Sequence, residues 1–191
     1  MRRITPIPTR YRGHHFRSRL EARWAVFFST LGLSYEYEPQ GYDLGPEVGP
    51  YLPDFYLPRQ SGFRGGYIEI KPGEPTHDER RKCEALAEGL GADVYLFHRS
   101  IEIPDYWTSP EANPAILFLG TGGSDDDHYW TTCFRCSAVG IEYQGYAERL
   151  ACGCMVKASE AWPRERYVGT DMPNLVDAFA AARGERFDVA S

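Results

Sequence analysis

The chain has 191 residues, of which 42% are hydrophobic and 25% charged. That is enough for one domain of ordinary size with a small appendage, and it excludes wholesale disorder. No apolar run approaches the roughly 18 residues of a membrane span, and the opening MRRITPIPTR lacks the apolar stretch of a secretory signal, so a cytoplasmic protein with no membrane partner is expected.

The net charge of −6 argues against broad, nonspecific binding to nucleic acid, but it hides an asymmetry. Residues 1–23 carry seven arginines (Arg2, Arg3, Arg10, Arg12, Arg17, Arg19 and Arg23) against the single acid Glu21, while the remainder is strongly acidic. A basic edge on an acidic body suits local phosphate binding, and Arg12, Arg17, Arg19 and Arg23 are the candidate nucleic-acid contacts. A solvated tail is the plainer alternative for the same residues.

In chain order, residues 1–13 read as an extended arm. Phe16, Leu20, Trp24, Phe27 or Phe28, and Leu31 recur at helical spacing and end at Gly32, which predicts a helix over 15–31. Residues 34–38 alternate as a strand, and 39–50 form a loop rich in Gly and Pro. Strands follow at 51–57, interrupted by Pro53, and at 67–71, stopped by Pro72-Gly73. A second helix spans 76–90, with Thr76 as its cap, Asp78 and Glu79 in its first turn, and Cys83, Leu86, Ala87 and Leu90 on its apolar face. Residues 93–98 form a strand buried on both faces. Residues 104–114 read as a linker, 115–119 as a further strand, 120–128 as a polar loop and 173–183 as a C-terminal helix with Pro173 near its start. The fold class is therefore α/β: a mixed central sheet with an α-β-β-β-α-β core flanked by helices, plus a small metal-binding β module.

Three groups in the core carry chemistry: Glu21 in the opening helix, Asp54 in Tyr-Leu-Pro-Asp-Phe, and Glu69-Ile70-Lys71. On a strand, Glu69 and Lys71 project from one face and Ile68 and Ile70 from the other. Asp54 on the neighbouring strand can bring its carboxylate to Glu69. Two converging carboxylates repel unless a divalent cation lies between them, and hard oxygen ligands suit Mg²⁺ or Mn²⁺. A lysine beside them can favour a deprotonated water and neutralise phosphate charge, which equips the site for phosphodiester hydrolysis. One of only three lysines in the chain falls on this motif. A surface salt bridge on an edge strand is the structural alternative, and an Arg17–Glu21 helical pair competes for Glu21. His14 and His15 read as surface residues at the helix start.

These residues carry a resemblance. FRSRLEARWAVFF with Glu21, Pro53-Asp54, Glu69-Ile70-Lys71, and the helix and strand that follow together resemble the PD-(D/E)xK nuclease superfamily over about half the chain. The opening helix most resembles those of phage and mobile-element endonucleases, including transposon end-cutting subunits and junction resolvases. The resemblance implies a Mg²⁺-dependent DNA endonuclease that leaves a 5′-phosphate and a 3′-hydroxyl. Asp54, Glu69 and the Ile70 carbonyl would hold the metal, Glu21 would bind it through water or complete a second site, and Lys71 would activate the attacking water. An idle nuclease fold acting as a DNA- or protein-binding module, and a ribonuclease, are the alternatives. A double-strand cutter calls for a homodimer, but no coiled-coil pattern is present.

Cys133-Phe-Arg-Cys136 and Cys152-Gly-Cys154 form two close pairs separated by 15 residues. In a chain without an export signal this points to metal rather than disulfides, and two such knuckles can bring four thiolates to one structural Zn²⁺. The intervening IEYQGYAERL supplies a hairpin arm, which makes the segment resemble a zinc ribbon. The tight second knuckle leaves room for His128 in place of one thiolate. The ribbon could read DNA through Arg135, Tyr143, Tyr146 and Arg149, dock a partner or only stabilise. Asp125-Asp126-Asp127 reads as a solvated loop or a cation site, and Cys83 as a small core residue. The expected organisation is a basic arm (1–13), a nuclease-like core (14–110), a zinc-ribbon-like module (111–160) and a helical tail (161–191).

Overall fold

The computed structural model describes residues 6–105, 112–154 and 169–187. The start of the basic arm, the middle of the expected linker, the end of the ribbon segment and the first residues of the expected tail lie outside the described residues.

Thr9–Tyr11 (β1) and His14–Phe16 (β2) form a short hairpin, with Arg10 opposite His15. This corrects the extended arm and the early helix start. Arg12 and Gly13 both take positive φ, as a two-residue hairpin turn requires, and the returning strand buries Phe16. The first helix, α1, then spans Arg19–Thr30, capped by Ser18, whose hydroxyl oxygen accepts from the Glu21 N–H. Ser18 and Glu21 are thus the ends of an S-x-x-E cap.

Glu36–Tyr37 (β3) pairs with Phe55–Leu57 (β6), and β6 pairs with Gly66–Lys71 (β7). Inside the expected 39–50 loop, Tyr42–Asp43 (β4) pairs with Pro50–Tyr51 (β5) as a separate hairpin. His77–Leu90 forms α2 with a complete Thr76–Glu79 capping box and closes on Gly91 in the left-handed conformation. It crosses to Val94–His98 (β8), which lies parallel to β7.

Ala115–Phe118 (β9), Ser124–Thr132 (β10) and Val139–Tyr143 (β11) continue the same sheet. Among the described residues its order is β11-β10-β9-β8-β7-β6-β3. The strands of 111–160 therefore extend the core sheet, and the cysteines sit at the end of its β10–β11 hairpin. Ser124–His128, expected as loop, lies in β10 because 120–123 already turns the chain back: the Leu119 N–H donates to the Gly123 carbonyl. After a 3₁₀ turn at Ala147–Arg149, Pro173–Gly184 forms α3.

The sheet divides two apolar layers. On one side Trp24, Phe27 and Phe28 of α1 meet Phe179 of α3 and Phe55, Phe97 and Trp130 of the sheet. On the other, Cys83, Leu86 and Ala87 of α2 cover Val94, Leu96, Ile116 and Phe118. β8 is thus buried on both faces, as its unbroken apolar run predicts. No helix among the described residues is long and apolar enough to cross a membrane.

Candidate active site and cysteine cluster

The pleat of β7 sends Ile68 and Ile70 into the α1 layer and leaves Glu69 and Lys71 on the α2 side. The β6–β7 register pairs Phe55 with Ile68, so one further step sets Asp54 opposite Glu69 and a second sets Pro53 opposite Ile70. Proline has no N–H to continue a ladder, and the pairing stops there. Asp54 takes over: its Oδ2 accepts the Ile70 N–H at 2.8 Å. The Asp54 N–H in turn donates to Glu69 Oε2 at 3.3 Å. The Lys71 ammonium lies against Glu69 Oε1, with Glu79 3.9 Å beyond.

Asp54 and Glu69 are 3% and 2% exposed, which is rare for carboxylates and matters for their charge. Burial, then Glu69, then Glu21 push the Asp54 carboxyl well above its ordinary range, against Lys71 and the Ile70 N–H. Burial alone would lower the Lys71 ammonium, but Glu69 and Asp54 outweigh it and the net direction is upward.

Glu21 reaches the same place from the first turn of α1. Ser18 Oγ donates to its Oε1 at 2.7 Å and the Tyr37 hydroxyl to its Oε2 at 2.6 Å. Glu21, Asp54, Ile70 and Lys71 line one cavity of about 440 Å³, also walled by Pro6, Ile7 and Leu20. The structure thus brings Asp54, Glu69 and Lys71 into contact and places Glu21 with Asp54 and Lys71 on one cavity, while Glu69 lines the adjoining one with Arg17, Lys71 and Glu79.

Arg17 is part of this site. Its guanidinium donates to Asp54 Oδ1 at 2.7 Å and pairs through Nε with Glu38 at 2.5 Å. The expected Arg17–Glu21 helical pair does not form, because α1 begins after Arg17 and the side chain turns to Asp54 and Glu38. Tyr37, Glu38 and Tyr51 were not legible as site residues. Glu38 takes φ 48, and its N–H donates to the Asp54 carbonyl at 2.8 Å. The Tyr51 hydroxyl lies 3.7 Å from Cys83 Sγ, and burial, with Cys83 and Glu69 nearby, pushes this phenol well up. Among 27 acids and 13 tyrosines nothing in the sequence marks these three.

Arg12 stands exposed at the hairpin tip, its guanidinium over the Tyr11 ring. Arg19 lines the cavity of the carboxylates, whereas Arg23, one turn on, lines a second cavity that Arg19 also borders. His14 and His15 are exposed on β2.

At the far end of the sheet, the sulfur atoms of Cys133, Cys136, Cys152 and Cys154 all lie within 4.8 Å of one another, and none forms a disulfide. A tetrahedron of about 2.3 Å zinc–sulfur bonds sets its sulfurs about 3.8 Å apart, so the cluster is compatible with a structural zinc site. Among the described residues it is the one group of three or more ligating side chains with that mutual spacing, and the site carboxylates do not make another. The first knuckle is closed by Cys133 N–H to the Ala138 carbonyl and Ser137 N–H to the Cys133 carbonyl. An Ala138 backbone contact lowers the Cys136 thiol. The second knuckle is tied to the sheet through Gly62, whose carbonyl accepts from Ala151 and whose N–H donates to Val139. Gly140 permits that approach, since a Cβ there would stand 2.5 Å from the Gly62 carbonyl oxygen.

His128 is not one of the four. It lies in β10 opposite Tyr143, with Nδ1 3.2 Å from the Asp126 carbonyl, and the cysteines complete the cluster without it. The IEYQGYAERL arm is divided between β11 and the 3₁₀ turn and forms no hairpin of its own. Arg149 stacks over Tyr143 and Tyr146, and Asp125, Asp126 and Asp127 are exposed. Comparison with models of protein families, with curated proteins and with solved structures gave no match.

Proposed function

We propose that this chain is a Mg²⁺- or Mn²⁺-dependent DNA endonuclease of the PD-(D/E)xK type. The observation that carries the reading is the buried contact of Asp54, Glu69 and Lys71 beside an open cavity. The donor set fits a hard divalent cation: two buried carboxylates repel, and Asp54 is held above its ordinary range by burial first and by Glu69 and Glu21 after it. Pro53 offers no N–H to the Ile70 carbonyl, which leaves that oxygen suited to a third ligand position. Asp54, Glu69 and the Ile70 carbonyl would hold the metal, and Glu21 would reach it through water. When bound, such an ion polarises a phosphate oxygen and lowers the pKa of a coordinated water.

The chain's own residues supply the rest. Lys71 orients the attacking water and places positive charge beside the phosphate. Ser18 and Tyr37 fix Glu21, and the Asp54 N–H and Lys71 fix Glu69, so neither carboxylate must reorganise during reaction. Water attacking phosphorus in line with the 3′-oxygen forms the new P–O bond as the P–O3′ bond breaks and the leaving 3′-oxygen takes a proton, which gives the 5′-phosphate and 3′-hydroxyl that the resemblance implies. The four cysteines would hold one structural Zn²⁺, since four thiolates leave no open coordination position.

One observation favours a second reading. Arg17 and the Ile70 N–H already satisfy both Asp54 oxygens, as in a nuclease fold retained for binding alone. Incubation with Mg²⁺ or Mn²⁺ and linear, supercoiled, branched and single-stranded DNA, with RNA alongside, separates the readings. Metal-dependent DNA cutting supports the proposal. Cutting of RNA alone makes the chain a ribonuclease, and binding without cutting makes it a binding module.

A further inference from the structure

The acidic body of this chain repels a polyanion, so the arginines without carboxylate partners decide where one can lie. Arg17, Arg64, Arg81 and Arg99 are each paired with an acid. Arg19, Arg23, Arg183 and Arg186 have no ion pair among the described residues, and they converge on a single cavity of about 410 Å³. Glu185 is the one acid on its wall and Phe187 its one aromatic. The Nε atoms of Arg19 and Arg23 are buried without a hydrogen-bond partner, a costly state for a charged donor unless a ligand supplies the acceptor.

The cavity arises from packing. Arg19 and Arg23 are four residues apart on α1 and share a face, and α1 lies against α3, whose last turn and exit bring Arg183 and Arg186 to the same side. Guanidinium forks suit phosphate oxygens, and four around one cavity suit an oxyanion better than any neutral ligand. Arg19 also lines the neighbouring cavity of Glu21, Asp54 and Lys71, so the two cavities share a wall.

We infer that the Arg19–Arg23–Arg183–Arg186 cavity binds backbone phosphates of the nucleic-acid strand that flanks the scissile bond. The choice of ligand rests on the nuclease reading, but the binding site does not require that the chain cut. It extends the interface from the basic N-terminal segment to the C-terminal helix, whose arginines carry no motif of their own.

The test uses the full chain with the double substitution Arg183→Ala and Arg186→Ala, both exposed positions. Binding of a fluorescent DNA duplex and single strand is followed by anisotropy in metal-free buffer from 50 to 300 mM salt. The expected result is about tenfold weaker binding, with the slope of log affinity against log salt reduced by about 1.8 for two lost duplex contacts. Unchanged affinity and slope overturn the site. Should the alanine pair alter the melting temperature, the pair Arg183→Lys and Arg186→Lys keeps the charge and loses the fork, and an intermediate loss supports the site while wild-type binding overturns it. Calorimetry with inorganic phosphate is the other arm. Tight phosphate binding lost in the double variant, with DNA affinity unchanged, overturns the nucleic-acid assignment in favour of a free anion. DNA binding lost in the variant while the wild type cuts nothing leaves the site standing and removes the nuclease reading.

Discussion

Arg17 and Asp54 form an ion pair at 2.7 Å, and that pair occupies the Asp54 oxygen that the Ile70 N–H leaves free. A divalent cation at Asp54 Oδ1 must displace or share this guanidinium. Arg17→Ala is therefore expected to bind Mn²⁺ about three- to tenfold more tightly, measured by titration calorimetry, because a competing positive charge is gone. Cutting by the same variant falls rather than rises, since the guanidinium swung off Asp54 is available to the phosphate. Because Asp54 is buried, loss of its guanidinium partner is expected to lower the melting temperature of the metal-free protein.

Lys71 tests the chemistry separately from the fold. Lys71→Met keeps the aliphatic stem and removes the ammonium. Single-turnover cleavage in Mg²⁺ is expected to fall about 10²- to 10⁴-fold, the range for a lost acid–base group. DNA affinity in metal-free buffer changes little. A fall carried entirely by weaker binding would assign Lys71 to the interface instead.

Asp54 makes the metal-free protein sensitive to pH. Its folded-state carboxyl is raised by burial, Glu69 and Glu21, so the folded chain holds that proton more tightly than the unfolded chain does. The stability this contributes is complete below the ordinary carboxylate value of about 3.9 and is lost as pH rises through the raised one. Thermal melts across that window should show Asp54→Asn gaining on wild type as pH rises, and added Mg²⁺ should restore the wild type alone.

Tyr37 offers a subtler check. Its hydroxyl donates to Glu21 Oε2 and accepts the Arg17 N–H at 2.9 Å, so it positions two site residues at once. Tyr37→Phe is expected to lower cleavage about 10- to 100-fold, as loss of an outer-sphere partner does, with the melting temperature nearly unchanged. Rescue of metal affinity at saturating Mn²⁺ without rescue of rate would locate its effect in Glu21 orientation.

The four cysteines predict one zinc per chain by atomic absorption. Cys133 is fully buried beside Ala147 and Leu150, and Cys152 and Cys154 pack against that group. Chelation or Cys133→Ser should therefore lower the melting temperature and loosen the β10–β11 end of the sheet, read as faster amide exchange at Val139–Tyr143.

Periodicity made the two-layered core legible. The aromatic spacing of α1, the α2 face with Cys83 and the unbroken apolar run of β8 all appear where their patterns set them. The Asp54–Glu69–Lys71 contact followed from strand alternation and one proline. What stayed hidden depends on contacts distant in sequence. The β1–β2 hairpin rests on a two-residue turn led by Arg12, a residue with no strong turn preference. That residues 115–143 would add to the main sheet, rather than fold apart around zinc, is decided by β8–β9 pairing, which no local pattern encodes. Arg17 was visible as a basic residue, but its partners Asp54 and Glu38 lie 37 and 21 positions away.

The most direct measurement is single-turnover cleavage of DNA by purified wild type and Asp54→Ala, with Mg²⁺, with Mn²⁺ and with chelator. The account predicts cutting by the wild type with either metal and none with chelator, and no cutting by Asp54→Ala although it binds the same DNA. Metal-dependent cutting by Asp54→Ala at the wild-type rate would contradict it.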